Sequence, residues 1–234
     1  MQAIILAGGR GRRLLPYTTV LPKPLMPIGD HPILEVILRQ LERAGFDDVI
    51  ISTGYLHELI QAYLAGNPHP GLRIRCSHEA EPRGTIGPLH LIPDLAGTFM
   101  VMNGDILTDL DYRALIRAHR EKGALATIAT CTRQVKVDFG VLEHDSDLRI
   151  RGFREKPEYR FDVSMGIYVF QREILERVPR GRPFGFDELM LEMVRRGDPV
   201  FSYPFDGYWL DIGRPDDYAR AMEEFGEYRE RFLP

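Results

Sequence analysis

The chain opens on an apolar run, Ala3-Ile4-Ile5-Leu6, with no polar residue inside it, which is the pattern of a strand buried on both faces. Ile33, Leu34, Ile37, Leu38 and Leu41 then recur at helical spacing, predicting a helix from about Pro32 with Gly45 at its left-handed C-cap. Asp48 to Thr53 reads as a strand, Tyr55 to Leu64 as a helix and Leu72 to Cys76 as a strand; Thr98 to Met102 is another buried strand. A helix is predicted from Asp111 to about Lys122, closed by Gly123, followed by a β-rich run from Leu125 to Thr132. Phe139 to Glu143 and Leu148 to Arg154 form a hairpin around Asp145-Ser146-Asp147, and Val163 to Phe170 is a strand. Phe186 to Arg196 is an amphipathic helix with Leu189, Met190, Met193 and Val194 on one side; Val200 to Tyr203 is a strand and Asp216 to Arg229 a helix. This alternation of strand and helix predicts an α/β fold around an open parallel sheet.

Composition narrows the class. Residues 1–234 suffice for one large domain, and 44% hydrophobic with 27% charged residues is ordinary for a globular protein. No apolar stretch approaches the ~20 residues that span a bilayer, and Met1 runs straight into a strand without a charged leader, so neither a membrane nor export is expected. Two cysteines, Cys76 and Cys131, suit a reducing compartment, and a cytoplasmic location is expected. The seven histidines show no paired ligand spacing, which argues against zinc, and no nucleophilic Ser or Cys motif is present. Phe225 and Tyr228, taken as exposed, are open to two readings: an interface in a homo-oligomer, or packing of the C-terminal tail.

The net charge is −4, yet Arg10, Arg12, Arg13 and Lys23 face one acid, Asp30, within the first thirty residues. They surround Gly8, Gly9 and Gly11, whose backbone N–H groups are not covered by a Cβ and can be approached closely by phosphate. This predicts a polyphosphate site. The spacing fits neither the Walker loop nor the dinucleotide Gly-x-Gly-x-x-Gly turn.

Gly8-Gly9-Arg10-Gly11-Arg12-Arg13-Leu14-Leu15-Pro16 followed by Pro22-Lys23-Pro24 resembles instead the signature of the sugar-1-phosphate nucleotidyltransferases, the NDP-sugar pyrophosphorylases. Arg12 stands where that family usually has a small Thr or Ser. The resemblance extends in family order to Glu79-Ala80-Glu81-Pro82-Arg83-Gly84-Thr85-Ile86-Gly87, to Gly104-Asp105, to Glu155-Lys156-Pro157, to Ser164-Met165-Gly166-Ile167-Tyr168 and to Trp209-Leu210-Asp211. Arg83 replaces a common aliphatic residue and Ser164 a common Asn. The resemblance implies a three-layer, Rossmann-like domain with a mixed, mostly parallel central sheet, a sugar-binding portion roughly at 124–211, and no C-terminal β-helix domain.

It also implies roles. Leu6, Ala7, Gly8, Gly9 and Gly11 would cradle a nucleoside triphosphate, with Glu79, Pro82, Gly84 and Thr85 around the base. Arg13 and Lys23 would be catalytic, and Asp105 and Asp211 would bind Mg²⁺. Gly140, Glu155, Lys156 and Gly166 would meet the sugar phosphate. A carboxylate at Glu79 suits guanine, whose N1–H and exocyclic amine lie side by side, whereas uracil and thymine flank one N–H with two carbonyls. The pattern looks most like guanylyltransferases of mannose- or heptose-1-phosphate. The implied partners are small molecules, an NTP (GTP first) and a sugar-1-phosphate, with no nucleic acid.

The chemistry agrees with the missing nucleophile. A sugar-1-phosphate has a second pKa near ~6 and is already a dianion at neutral pH, so it needs no general base. It needs two polyanions held in line and the charge of departing pyrophosphate neutralised. Three alternatives stay open: uridylyl or thymidylyl transfer, a catalytically silent nucleotide-sugar-binding regulatory subunit, and a metal-dependent glycosyltransferase, which would leave the opening loop without a purpose.

Overall fold

A computed structural model describes residues 1–233. In chain order it contains β1 (Gln2–Ala7), the short β2 (Pro27–Ile28) and β3 (His31–Pro32), α1 (Ile33–Arg43), β4 (Asp48–Thr53), α2 (His57–Gly66), β5 (Arg73–His78), β6 (Thr98–Asn103), β7 (Ile106–Thr108) and α3 (Tyr112–Glu121). There follow β8 (Ala126–Lys136), β9 (Val141–His144), β10 (Ile150–Arg154), β11 (Glu158–Gln171), α4 (Phe186–Arg196), β12 (Val200–Pro204), β13 (Trp209–Asp211) and α5 (Pro215–Phe232). A seven-stranded sheet of order β12-β8-β11-β6-β1-β4-β5 forms the middle layer. All its neighbours are parallel except at β11, which runs antiparallel to both β6 and β8. The sheet is therefore mixed and mostly parallel.

The strands alternate between two cores, which makes the fold three-layered. Ala3, Ile5 and Ala7 of β1 face the layer carrying α1, α3 and α5, packing with Leu34, Leu115 and Phe225 among others. Ile4 points the opposite way, toward Leu189 and Met193 of α4 and the turn residues Ile86 and Leu89. A strand buried on both faces has no polar register, which is why β1 reads as an unbroken apolar run from Ala3 to Ala7 and the middle of β4 as Val49-Ile50-Ile51. The stripe on α1 is likewise fully buried.

Two local expectations change. Val194 is 65% exposed, so α4 buries a narrower face than its apolar positions suggest. Phe225, read as exposed, is 1% exposed. It stacks on Phe232 and lies under Gly29, whose φ is +58° and where an added Cβ would come within 2.8 Å of the ring. Gly29→Ala meets both a left-handed backbone and that ring, and a loss of about 1–3 kcal/mol of stability is expected. A denaturant titration checks it; a midpoint equal to wild type would show that α5 shifts without cost. Tyr228 remains at the surface, 38% exposed.

The strand β11 carries a register shift between Ser164 and Tyr168. Before it, β11 pairs only with β8; after it, β11 enters the main sheet beside β6. The first half projects with β8 as a two-stranded arm, and the β9–β10 hairpin lies within the segment that joins those two strands. No helix of the described residues is long and apolar enough to cross a membrane.

Candidate active site

The parallel strands β1, β4, β5 and β6 end on the same side, where ligands collect in open α/β sheets. A cavity of about 510 Å³ lies there, lined by Leu6, Ala7, Gly8, Gly9, Gly11, Arg12, Arg13 and Lys23 from the opening segment, by Glu79, Pro82, Arg83, Gly84 and Thr85 after β5, and by Asp105 after β6. A basic cavity of about 550 Å³ between α1, α3 and the end of α5 collects none of these motif residues.

The opening segment leaves the sheet at Ala7 and is folded by its own hydrogen bonds. The Gly11 carbonyl accepts from Leu14 N–H at 2.9 Å and from the buried Thr18 hydroxyl at 2.9 Å. Leu14 is fully buried, and this anchor turns Arg12 and Arg13 outward. At Gly8 the requirement for glycine is steric: an added Cβ would collide with the Glu79 carboxylate. Glu79 is therefore seated against the bare backbone of the loop, and its Oε2 accepts the Arg83 N–H at 3.0 Å. Burial raises its carboxyl above the ordinary range, against the pull of the Arg83 N–H and of the charges of Arg83 and His78. Thr85 faces the cavity while its hydroxyl accepts the Phe186 N–H at 2.8 Å.

Asp105 and Asp211 meet through a two-stranded ribbon. β13 pairs antiparallel with β7 so that Asp211 lies opposite Ile106, and Ile212 N–H donates to the Asp105 carbonyl at 3.0 Å. Lys23 pairs with Asp105 Oδ2, with both side chains largely buried. Asp105 Oδ1 is buried without a hydrogen-bond partner. Burial raises the Asp211 carboxyl and the Asp105 charge raises it further, while Lys23 and Arg13 pull it down. At Gly213 an added Cβ would lie 3.4 Å from both Arg13 Nη1 and Asp211 Oδ2, which places that guanidinium beside the acid. Two carboxylates, one with an orphaned buried oxygen, against one paired ammonium are a donor set suited to a hard divalent cation that keeps water and phosphate ligands. Among the described residues no group of three or more His, Cys, Asp or Glu offers a fuller cage.

The four sugar-phosphate candidates are placed differently. Gly140 and Glu155 come together beside Phe153 of the hairpin, and Lys156 follows in the turn before β11 with φ +42°. Glu155 and Lys156 are exposed, and none of the three lines the cavity. Gly166 is buried at the shift in β11, where an added Cβ would come 2.5 Å from Asn103 Nδ2; it supports the end of β6 and is not a wall of the cavity. Besides the motif departures Arg12 and Arg83, six lining residues carry no role predicted from sequence: Pro24, Ser52, Pro88, Asn103, Gly104 and Gly213. Ser52 and Asn103 sit at the carboxyl ends of β4 and β6, a position that would have pointed to them.

Comparison with known proteins identifies the family. The model of the family described as Nucleotidyl transferase matches residues 2–227. The chain is 34% identical to the UTP–glucose-1-phosphate uridylyltransferase of Synechocystis sp., over 95% of this chain and 62% of that protein. It is 35% identical to the D-glycero-alpha-D-manno-heptose 1-phosphate guanylyltransferase of Aneurinibacillus thermoaerophilus, over 97% of this chain and the whole of that protein. The chain thus spans under two thirds of the first relative and the full length of the second. The crystal structure of HddC from Yersinia pseudotuberculosis complexed with GMP-PN superposes with a TM-score of 0.72 at 28% identity, covering 96% of this chain and 99% of that one. A fold, an opening signature and a matched span of residues 2–227 all converge, and the chain belongs to the nucleotidyl transferase family.

Proposed function

We propose that this protein transfers a guanylyl group from GTP to a sugar-1-phosphate of the manno configuration, mannose- or heptose-1-phosphate, releasing pyrophosphate. The observation that carries this reading is the single cavity shared by the glycine-arginine loop, Glu79 and the Asp105 side of the acid pair. The full-length guanylyltransferase relative and the nucleotide-bound neighbour support it. The N–H groups of Gly8, Gly9 and Gly11 hold the triphosphate, Arg13 stabilises the departing pyrophosphate and Lys23 orients the α-phosphate. Asp105 and Asp211 would hold Mg²⁺, which would supply positive charge to offset that of the phosphates. Lys156, with no ion pair among the described residues, draws in the sugar phosphate from the hairpin side.

Pyrophosphate release over a grid of GTP, UTP, dTTP, CTP and ATP against several sugar-1-phosphates, with and without Mg²⁺, tests the reading. Release confined to GTP is the expected result. Release with UTP or dTTP would overturn the guanine assignment and follow the uridylyltransferase relative instead. Silence across the grid with NDP-sugar binding intact would indicate a regulatory subunit.

Glu79→Gln separates base recognition from stability. The amide no longer accepts two neighbouring N–H groups, so GTP efficiency relative to UTP is expected to fall by roughly tenfold or more. Stability moves the other way. A carboxyl raised on folding favours the folded state below its unfolded pKa and loses that contribution as pH rises through the folded value. Once ionised, the wild-type carboxylate is a half-buried charge that Gln removes, so the variant is expected to melt no lower, with the difference fading on acidification. A lower melting temperature at pH 7 would contradict this.

A further inference from the structure

Arg83 is held at a defined place on the cavity wall. Its N–H donates to Glu79 Oε2 at 3.0 Å and its carbonyl accepts the Phe184 N–H at 2.9 Å, so the main chain is clamped from both sides. A Cβ added at Gly87 would lie 3.1 Å from Arg83 Cβ, which leaves the side chain little room on that flank. The residue lines the cavity together with Glu79, and no carboxylate pairs with its guanidinium among the described residues. Its charge is nevertheless felt at Glu79. A half-buried arginine whose main chain is fixed on the cavity wall and whose guanidinium has no acid partner among the described residues is a donor set awaiting acceptors.

Resting on the guanylyl reading, we propose that Arg83 is a second base-reading residue: its guanidinium donates to O6 and N7 of guanine while Glu79 accepts from N1–H and the exocyclic amine. The chemistry of the base makes the pair selective. Guanine presents two adjacent acceptors on one edge and two adjacent donors on the next, and the rigid fork of arginine matches the first as a carboxylate matches the second. Adenine puts an amine where O6 would be, and a pyrimidine has no N7. Glu79 and Arg83, bonded to each other through one backbone N–H, present both characters from one short loop. The rival role for the same cation is a contact to the triphosphate, which every nucleotide carries.

Nucleotide analogues distinguish the two without relying on a variant that must fold. Pyrophosphate release is measured with GTP, with 7-deaza-GTP, which lacks N7, and with ITP, which lacks the exocyclic amine. Wild type is expected to lose roughly tenfold or more in kcat/KM with 7-deaza-GTP and a comparable factor with ITP. Arg83→Leu is expected to abolish the 7-deaza-GTP penalty while keeping the ITP penalty, and Arg83→Lys to restore part of the former. Equal use of GTP and 7-deaza-GTP by wild type would overturn the assignment. So would an Arg83→Leu variant that weakens both nucleotides equally, which would mark a phosphate contact; in either case the guanylyl reading stands. Turnover of UTP or dTTP in preference to GTP removes both readings together and is recognised in the wild-type measurement alone.

Discussion

Arg13→Ala is expected to lower turnover by at least ~10²-fold, the scale of losing one preorganised charge at a developing anion. The side chain is turned outward by the buried Leu14 and reaches the vicinity of Asp211, where its guanidinium lies beside the bare face of Gly213. No carboxylate pairs with it at ion-pair distance among the described residues, so its charge is not spent within the protein. Pyrophosphate leaves with more negative charge than the bound triphosphate places on the same oxygens, so the interaction strengthens along the reaction and its loss falls on kcat more than on KM. Steady-state kinetics of pyrophosphate release check this. A variant with near-normal kcat and a raised KM would make Arg13 a binding residue and remove it from transition-state stabilisation. Arg13→Lys keeps a charge but not the planar fork and should recover only part of the loss.

Asp211→Ala is expected to cost at least ~10²-fold in turnover as well, by a different route. Asp105 retains its Lys23 partner in the variant, but the second carboxylate whose charge it feels is gone. The expected signature is a higher Mg²⁺ concentration for half-maximal rate alongside the lower maximum. The same substitution relieves a half-buried acid held next to another acid, so Asp211→Asn should melt at or above the wild-type temperature while losing turnover. Normal Mg²⁺ dependence in either variant would sink the assignment of Asp211 as a metal ligand. A large drop in melting temperature would instead show that the side chain holds the β7–β13 ribbon together.

Gly8 is the point where the opening loop touches Glu79. Its bare Cα sits against Glu79 on one side while its neighbours line the phosphate end of the cavity. In the proposed roles the base-reading loop after β5 and the phosphate-holding loop after β1 therefore meet at Gly8, and a side chain there would disturb both.

Local periodicity was enough to place most elements, because a strand or helix carries its burial pattern in its own residues. β4 at Asp48–Thr53 and α4 at Phe186–Arg196 have the bounds that the pattern predicts, and the opening loop could be read from glycine and arginine spacing alone. The family was also legible, and with it the opening-loop residues now gathered in the cavity, since a phosphate-binding loop is a contiguous segment. What the sequence did not determine are the contacts between distant segments. β11 enters antiparallel between β6 and β8, a choice made by strand pairing and not by any pattern within β11. Phe225 reads as a surface residue on a C-terminal helix until that helix closes over Gly29. The two acids Asp105 and Asp211 are joined only by the pairing of β7 with β13. Arg83 reads as a departure from a motif until the Phe184 N–H and the Glu79 carboxylate fix it on the cavity wall. In each case the deciding energy lies in pairing and burial across the chain, which a local pattern cannot encode, whereas the folded sheet brings those segments to one edge.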